Sequence, residues 1–267
     1  MKIDFKTVYL KKRFPLAISR GVIAGSDNLL VSVSDGTHTG WGEMAPGASE
    51  GAETAAEGEA MLREFCKSGL TGSIHKIWDD ATDAKLAPCA LAALDMALWD
   101  LRAKQANMPL YRLLGLSRSA VVSSLTVGIN PPEVVRERVP LLLKQGAKAL
   151  KIKLGSPEGI EADKAMFVAV LEAAKGSGAV LRVDANGGWS LKDARQMMGW
   201  LAERSVEYIE QPLERGQEDA LIDLFKDRAL PIFVDESCCM SQDIPGFADP
   251  VDGVNLKLMK CGGITEA

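Results

Sequence analysis

The sequence lacks the features that would place the protein in a membrane or on a nucleic acid. Its 267 residues include no apolar run approaching the ~20 residues that span a bilayer, and residues 1–14 carry too many basic side chains for the apolar core of a secretory signal. The 31 basic and 36 acidic side chains are interspersed and leave a formal charge of −5. We therefore predict a cytoplasmic protein that acts on small molecules, with neither a nucleic-acid nor a membrane partner.

The sequence also has few of the side chains on which several catalytic centres depend. Its only two histidines are His38 and His75, which excludes a three-histidine zinc site and leaves a Ser-His-Asp triad only these two candidates. No Gly-Lys-Ser/Thr phosphate loop and no Gly-x-Gly-x-x-Gly motif after a strand occurs, so nothing indicates nucleotide chemistry. The five cysteines show no Cys-x-x-Cys spacing, which favours reduced thiols over disulfides or zinc ligands.

The pattern of apolar residues changes near residues 115–120. Before this point, strand patterns and the turn Asp35-Gly36 predict a hairpin, and apolar spacings of three and four predict helices over residues 51–66 and 89–105. This part of the chain is therefore predicted to be α+β. Its predicted strands are residues 3–10, 29–33 and 40–42.

After this point the sequence alternates between strand and helix patterns. Six strand patterns are separated by segments with helical spacing, such as residues 194–201. Such alternation implies a parallel sheet, and charges at the ends of the strands suit a (β/α) barrel of the TIM type, whose active sites lie at that face. We therefore predict an α+β domain over residues 1–118 and a (β/α) barrel domain over residues 119–267. The predicted barrel strands are residues 121–129, 149–154, 180–184, 206–210, 232–235 and 253–258.

Three acidic residues stand at the ends of successive predicted strands. They are Asp184, Glu210 and Asp235. Because the carboxyl ends of barrel strands meet at one face, the three side chains could converge there, and burying them together requires a cation. Ligation by oxygen atoms alone favours Mg²⁺ or Mn²⁺. The alternative interpretation is that each acid caps the next helix or pairs with a neighbouring base.

Three lysines also stand at strand ends. Lys151 and Lys153 lie on one side of a predicted strand, and their repulsion is expected to lower one pKa toward the neutral base. The strand of Lys257 lies four positions further along an eight-stranded barrel, so its amine is expected to face that of Lys153 across the metal. One amine could then remove a proton from a carbon and the other could return a proton to the opposite face. This arrangement predicts inversion at a stereocentre next to a carboxylate or carbonyl. The alternative interpretation is that the three lysines are solvated charges at the ends of strands.

These charged residues lie in a set of short motifs. The motifs are Lys151-Ile152-Lys153, Val183-Asp184-Ala185-Asn186, Glu210-Gln211-Pro212, Asp235-Glu236-Ser237, Asn255-Leu256-Lys257 with Gly262-Gly263, and the helical string of residues 93–101, for which packing is the expected role. In combination they resemble the enolase superfamily, muconate-lactonizing subgroup, and within it the dipeptide epimerases. The resemblance extends over nearly the whole chain.

The resemblance implies a function for each site residue. Asp184, Glu210 and Asp235 would bind Mg²⁺, Lys153 and Lys257 would be the two acid/base catalysts of a dipeptide epimerase, and the intermediate would be a metal-stabilised enediolate. Residues 1–118 would form a capping domain whose loops near Arg20 and residues 46–51 select the substrate. Lys151 would stabilise the enolate charge. The guanidinium of Arg20 would bind both oxygens of a glutamyl carboxylate in an Ala-Glu-like substrate. Thr126 and Asn186 are the other residues implied in support or substrate binding.

The resemblance also leaves alternatives. The family continues through a seventh and an eighth strand, and the eighth carries an Asp-x-Asp motif that holds the substrate's amino group. We therefore expect the working protein to include further strands. The alternatives are that another chain supplies the missing strands or that the protein is a defective remnant. N-acylamino-acid racemase, o-succinylbenzoate synthase and cycloisomerase activities use the same two lysines. The substrate would then be a dipeptide or an acylated amino acid. A non-catalytic remnant is a further hypothesis, and homo-oligomers are common in the family.

Overall fold

The computed structural model describes residues 1–118 and 121–267 and contains two separate sheets. Three antiparallel strands belong to the N-terminal part and six parallel strands to the remainder, as the change in sequence pattern predicts. The predicted domain boundary lies between residues 118 and 119, and residues 119 and 120 lie outside the described residues. All five cysteines are free thiols. Within the described residues, no helix combines the length and the apolar composition needed to cross a bilayer.

The N-terminal sheet is built around one long hairpin. Its strands are β1 (Lys2–Ile18), β2 (Gly21–Ser34) and β3 (Thr39–Met44). The predicted turn between β2 and β3 is confirmed, because the Asp35 carboxylate accepts hydrogen bonds from the amides of Thr37 at 2.8 Å and His38 at 2.7 Å. β1 and β2 run further than predicted. Their connecting end therefore reaches the second sheet, where the amide of Ile129 donates to the carbonyl of Ala17 at 2.8 Å.

Four helices follow the hairpin. They are α1 (Ala55–Phe65), α2 (Ile74–Asp83), α3 (Pro88–Gln105) and α4 (Leu110–Leu113). α1 begins with a capping box, in which the Thr54 hydroxyl accepts from the amide of Glu57 and the Glu57 carboxylate accepts from the amide of Thr54. α3 is buried along most of its length, and its apolar side chains fill the core between the other helices and the sheet. The helices predicted over residues 51–66 and 89–105 are thus confirmed, the first starting later because Thr54 caps it.

The second sheet consists of six parallel strands that lie side by side in chain order. The strands are β4 (Ser124–Val127), β5 (Ala149–Lys153), β6 (Val180–Asp184), β7 (Val206–Glu210), β8 (Ile232–Val234) and β9 (Gly253–Val254), and the crossovers contain α5 (Pro132–Lys144), α6 (Ile160–Ala174), α7 (Leu191–Ala202), α8 (Asp219–Lys226) and a 3-10 helix (Ser241–Phe247). Apolar residues of these strands and helices form one shared core. Among the described residues, β4 and β9 are the two edges of this sheet, which does not close into a barrel.

The last predicted strand, over residues 253–258, is present but much shorter than predicted. β9 contains only 2 residues, and a short helix, α9 (Leu258–Cys261), begins directly after Lys257. The strand is short because the chain turns into α9, where the carbonyl of Lys257 accepts from the amides of Lys260 at 2.9 Å and Cys261 at 3.2 Å. Lys257 therefore lies at the N-cap position of α9, with an extended backbone, and not within a strand.

Candidate active site

Three acidic side chains meet at the carboxyl ends of the parallel strands. Asp184 and Glu210 end β6 and β7 and lie opposite each other in register, while Asp235 directly follows β8. One oxygen from each of the three carboxylates lies within 4.8 Å of the other two, and all three residues are buried. Buried anions at this separation repel one another strongly and require neighbouring positive charge.

Two lysines of β5 supply part of this charge. The Nζ of Lys153 lies 2.6 Å from Oδ2 of Asp184, and the Nζ of Lys151 lies 2.9 Å from the same oxygen and 2.7 Å from Oε2 of Glu210. Burial would lower the pKa of Lys151, but the charges of Asp184 and Glu210 outweigh it and hold that pKa above its usual value. The expected lowering of a lysine pKa by the neighbouring ammonium therefore does not occur at Lys151.

Lys257 and Lys260 hold the third carboxylate, that of Asp235. Lys257 forms an ion pair with Oδ2, and although burial lowers its pKa, the charge of Asp235 raises it and sets the net direction. Lys260 is buried, with its Nζ 2.8 Å from Oδ1 of Asp235, and it also donates to the carbonyls of Cys238 at 2.8 Å and Asn255 at 3.0 Å. The sequence predicts no role for Lys260, and the available signal is a basic residue three positions after Lys257 in a largely apolar segment.

The carboxylate cluster has the chemistry of a site for a divalent cation. It offers oxygen donors only, from Asp184, Glu210 and Asp235, which suits Mg²⁺ or Mn²⁺. Burial would raise the pKa of Asp184, but Lys153 and Lys151 hold it below its usual value, so this carboxylate is ionised. Burial and the charge of Asp184 raise the pKa of Glu210. A bound cation would favour the ionised form of Glu210, because it offsets both causes.

Asn186 connects the carboxylate cluster to the N-terminal hairpin. Its backbone amide donates to Oδ1 of Asp184 at 2.8 Å, and its backbone carbonyl accepts from the hydroxyl of Ser19 at 3.0 Å. Its side-chain nitrogen donates to Oε1 of Glu236 at 3.1 Å, while its own Oδ1 is buried without a hydrogen-bond partner. A φ of 44° places Asn186 in the left-handed region, which asparagine tolerates better than most residues. Asn186 is thus adjacent to the site and holds a buried acceptor without a partner.

Gln211 fixes the loops that follow two of the acidic residues. Its Oε1 accepts from the amide of Asp235 at 2.9 Å, and its Nε2 donates to the carbonyl of Leu213 and the hydroxyl of Ser237, both at 2.8 Å. It is buried, with a φ of 40°. In the sequence, Gln211 stands out only as part of the motif Glu210-Gln211-Pro212. A polar residue directly after the strand-end Glu210 was the available signal for its function.

A cavity of about 1250 Å³ lies above the cluster, between the hairpin and the ends of the strands. Residues 18–23 of the hairpin, residues 45–50 and the strand-end loops line it, so both loops predicted to select the substrate border this cavity. Lys257 lines the cavity. Asn186, Gln211 and Glu236 also line it, and each lies one or two residues after an acid of the cluster. The cavity is large enough for a dipeptide-sized ligand.

Arg20 crosses this cavity to an acidic side chain of the second sheet. Its Nη2 lies 2.6 Å from Oε1 of Glu236, and its Nη1 donates to the carbonyl of Asn186 at 3.4 Å. The side chain of Glu236 is 9% exposed and that of Arg20 is 53% exposed. The positive charge of Arg20 is therefore already partnered by a carboxylate of the protein.

Thr126 lies apart from the large cavity. It is opposite Lys151 in the register of β4 and β5, but it is exposed and lines a smaller cavity of about 40 Å³ beside Phe14. Its predicted part in substrate binding stays a prediction.

A buried aspartate ties together the loops after β5 and β6. Oδ2 of Asp163, on α6, accepts from the amide of Gly155 at 3.0 Å and from Nε1 of Trp189 at 2.8 Å, and Oδ1 accepts from the amide of Ser156 at 3.0 Å. Burial raises the pKa of the Asp163 carboxyl. Gly155 follows Lys153 by two residues, so this aspartate fixes the backbone next to the site.

The Asp163→Ala variant is expected to lose about 3 kcal/mol or more of its free energy of unfolding, because three donors lose their acceptor at a buried position and each costs about 1–3 kcal/mol. Urea unfolding followed by circular dichroism measures this loss. Glu161→Ala is the matched control on the same helix: its side chain is 80% exposed, and the expected change is within about 0.5 kcal/mol. Equal stabilities of the two variants would contradict the structural role of Asp163.

The fold and the site together define a class of enzyme. Residues 134–267 match the family described as "Enolase C-terminal domain-like", and residues 2–115 match "Mandelate racemase / muconate lactonizing enzyme, N-terminal domain". The protein is thus an enzyme of the enolase superfamily, with a capping domain that precedes a parallel α/β sheet and a carboxylate cluster at the strand ends.

Relatives define the family more narrowly. A hydrophobic dipeptide epimerase of Roseobacter litoralis is 77% identical over 267 residues, which span 100% of this chain and 78% of the relative. The dipeptide epimerase of Enterococcus faecalis complexed with Mg and L-Leu-L-Tyr superposes with a TM-score of 0.91 at 34% identity, covering 99% of this chain and 76% of that one. The dipeptide epimerase of Cytophaga hutchinsonii complexed with Mg and D-Ala-L-Val gives 0.91 at 28% identity, covering 99% and 73%. The chain belongs to the dipeptide epimerases, which are isomerases.

Proposed function

We propose that this chain inverts the α-carbon of the C-terminal residue of a dipeptide in a reaction that depends on Mg²⁺. The observation that carries this proposal is the placement of Lys153 and Lys257 beside the first and the last of the three clustered carboxylates. Inversion needs a proton to leave one face of a carbon and another to arrive at the opposite face, which two separated amines can provide. The Mg and dipeptide held by solved relatives support both the cation and the substrate class.

In this proposal the two lysines exchange protonation states in each turnover. One lysine, as the neutral amine, takes the α-proton, and the other, as the ammonium, delivers a proton to the opposite face. One C–H bond breaks and one forms, and the reverse reaction uses the same two groups in the opposite order. Lys151, which Asp184 and Glu210 hold in place, adds positive charge where the substrate carboxylate becomes an enediolate. Asp184, Glu210 and Asp235 would hold the Mg²⁺. When bound, Mg²⁺ would supply Lewis-acid stabilisation of the negative charge on the enediolate.

The cavity favours an apolar dipeptide over an Ala-Glu-like one. Ile18, Val22 and Ile23 of the hairpin and Met259 after the site contribute apolar lining, and Val22 is 70% exposed in the structure. The binding of a glutamyl carboxylate predicted for Arg20 stays a prediction, and it would require the guanidinium to leave or share Glu236. The 77% identical relative from Roseobacter litoralis carries the name hydrophobic dipeptide epimerase, which supports the same preference.

The test is proton NMR of L-Leu-L-Tyr and of L-Ala-L-Glu in D₂O with the protein and Mg²⁺, with and without EDTA. We expect metal-dependent loss of the C-terminal α-proton signal and appearance of the L,D isomer. The kcat/KM for L-Leu-L-Tyr should exceed that for L-Ala-L-Glu about 10–100-fold, because burying a large apolar side chain contributes about 1.5–3 kcal/mol. A preference for L-Ala-L-Glu would instead support the carboxylate-binding role of Arg20, and faster inversion of an N-acylated amino acid would contradict the dipeptide proposal.

Two broader expectations belong to the same proposal. The six parallel strands, in chain order and with the acids at their carboxyl ends, form an arc of a TIM-type barrel. The cytoplasm is the proposed location, which the free cysteines support, and a homo-oligomer remains the candidate assembly.

A further inference from the structure

A second buried aspartate lies in the capping domain and reaches the chain beyond Lys257. Asp95, on α3, is 1% exposed in a helix that is otherwise mostly apolar at its buried positions. Its Oδ2 accepts from the amide of Ile264 at 2.6 Å and from the amide of Thr265 at 3.0 Å, and its Oδ1 accepts from the hydroxyl of Thr265 at 2.5 Å. The carboxylate thus binds the backbone of a segment that follows the last strand of the other sheet.

Two tryptophans of the capping domain bind the same segment. Nε1 of Trp99 donates to the hydroxyl of Thr265 at 2.9 Å, and Nε1 of Trp78 donates to the carbonyl of Gly262 at 3.0 Å. Gly263 has a φ of 117°, and a Cβ at this position would lie 2.4 Å from Oδ2 of Asp95. The close approach of Asp95 is therefore the physical reason for a glycine there.

The segment held in this way begins at Lys257. The carbonyl of Lys257 accepts from the amides of Lys260 at 2.9 Å and Cys261 at 3.2 Å, and the carbonyl of Leu258 accepts from the amides of Gly262 and Gly263, both at 3.0 Å. These bonds connect Lys257 through successive turns of backbone to the residues that Asp95 binds. β9 gives the backbone of Lys257 little support, because it has only 2 residues and ends before Lys257, whose side chain is held by the ion pair with Asp235.

We propose that Asp95 is a positioning residue for Lys257, so that the capping domain sets the place of one of the two acid/base amines. The inference rests on the proposed function, in which Lys257 transfers a proton. Lys153 has no such dependence, because it ends β5, where it pairs in register with Asp184 of β6, while the residue before it, Ile152, pairs with Val127 of β4. Loss of Asp95 should therefore displace one amine and leave the other in place.

The two lysines serve opposite faces, so this asymmetry is measurable. The rate of α-proton exchange in D₂O is followed separately for L-Leu-L-Tyr and its L,D isomer, and the isomer that loses exchange in Lys257→Ala identifies the one that Lys257 deprotonates. In Asp95→Ala we expect exchange of that isomer to slow on the order of tenfold to a hundredfold, as misplacement of a reacting group by about 1 Å does. Exchange of the other isomer should change less than about threefold.

Three variants complete the design. Asp95→Asn should recover most of the rate, because its carbonyl can still accept from both amides. Asp100→Ala, on the same helix but bonded to Trp41 and Lys104, should leave the ratio of the two exchange rates unchanged. If Asp95→Ala fails to fold, Thr265→Val removes one bond of the network and should shift the ratio in the same direction.

Amide hydrogen exchange by mass spectrometry adds a readout that needs no turnover. Asp95→Ala should lose protection over residues 258–267 and keep it over β5. An equal slowing of both isomers, or unchanged protection of residues 258–267, would overturn the inference. Absence of exchange from both isomers in the unsubstituted protein would overturn the proposed function instead, and the protection of residues 258–267 would still decide whether Asp95 anchors the segment.

Discussion

Replacing Lys153 or Lys257 by alanine should abolish epimerisation, with kcat falling about 10²–10⁴-fold, because inversion needs one amine on each face of the α-carbon. Each variant should nevertheless exchange the α-proton of one isomer with solvent, since the remaining lysine can remove and return a proton on its own face. The two variants should retain exchange of opposite isomers. Proton NMR in D₂O, with the L,L and L,D isomers as separate samples, measures both quantities.

Lys148→Ala is the matched control for these variants. Lys148 is exposed and precedes β5 at the end of the strand away from the carboxylates, so its loss should leave kcat unchanged. Circular dichroism of each variant establishes that the fold is retained, which matters because Lys153 neutralises the buried Asp184. Unchanged turnover in both Lys153→Ala and Lys257→Ala would refute the two-lysine mechanism.

The Glu210→Gln variant should bind Mg²⁺ about a hundredfold more weakly or worse and lose most turnover. The substitution removes one of three negative charges from the cluster but preserves the shape of the side chain and an acceptor for Nδ2 of Asn255, which lies 2.8 Å from Oε1. Isothermal titration calorimetry of the folded protein measures the affinity without reference to activity. EDTA should inactivate the unsubstituted protein, and added Mg²⁺ or Mn²⁺ should restore it.

Glu207→Gln provides the comparison on the same strand. Glu207 is exposed and pairs with Arg182 at 2.5 Å, away from the cluster, so calorimetry should give the affinity of the unsubstituted protein. The assignment of the cation to the carboxylate cluster fails if Glu210→Gln binds Mg²⁺ as tightly as Glu207→Gln does, or if the unsubstituted protein shows no binding.

Much of the α/β part could be predicted from the sequence because its strands are short apolar runs that end at a charge. β6 and β7 have the predicted bounds, with Asp184 and Glu210 as their last residues. The convergence of the acids was predictable for the same reason, since parallel neighbours bring equivalent ends to one edge. β9 is shorter than predicted because α9 begins directly after Lys257, and the apolar spacing of residues 253–258 does not distinguish a strand from an extended segment that leads into a helix.

Contacts between distant residues explain what the sequence could not reveal at the site. The motif carried Glu236, but nothing in its spacing shows that Arg20, 216 residues away, would pair with it. The helical string containing Asp95 looked like a packing surface, because its apolar spacing dominates the pattern and a single acid within it has no visible partner. Only the fold brings that acid to Ile264, which is 169 residues further along the chain.

This separation has a consequence for synthesis. A ribosome releases Asp95 and the rest of its domain long before the segment of residues 264–265 exists, and domains generally fold in that N-to-C order. The nascent capping domain must therefore keep the carboxylate of Asp95 hydrated or otherwise bonded until that segment arrives. Lys257 should consequently reach its final position among the last steps of maturation, after β5 has already placed Lys153.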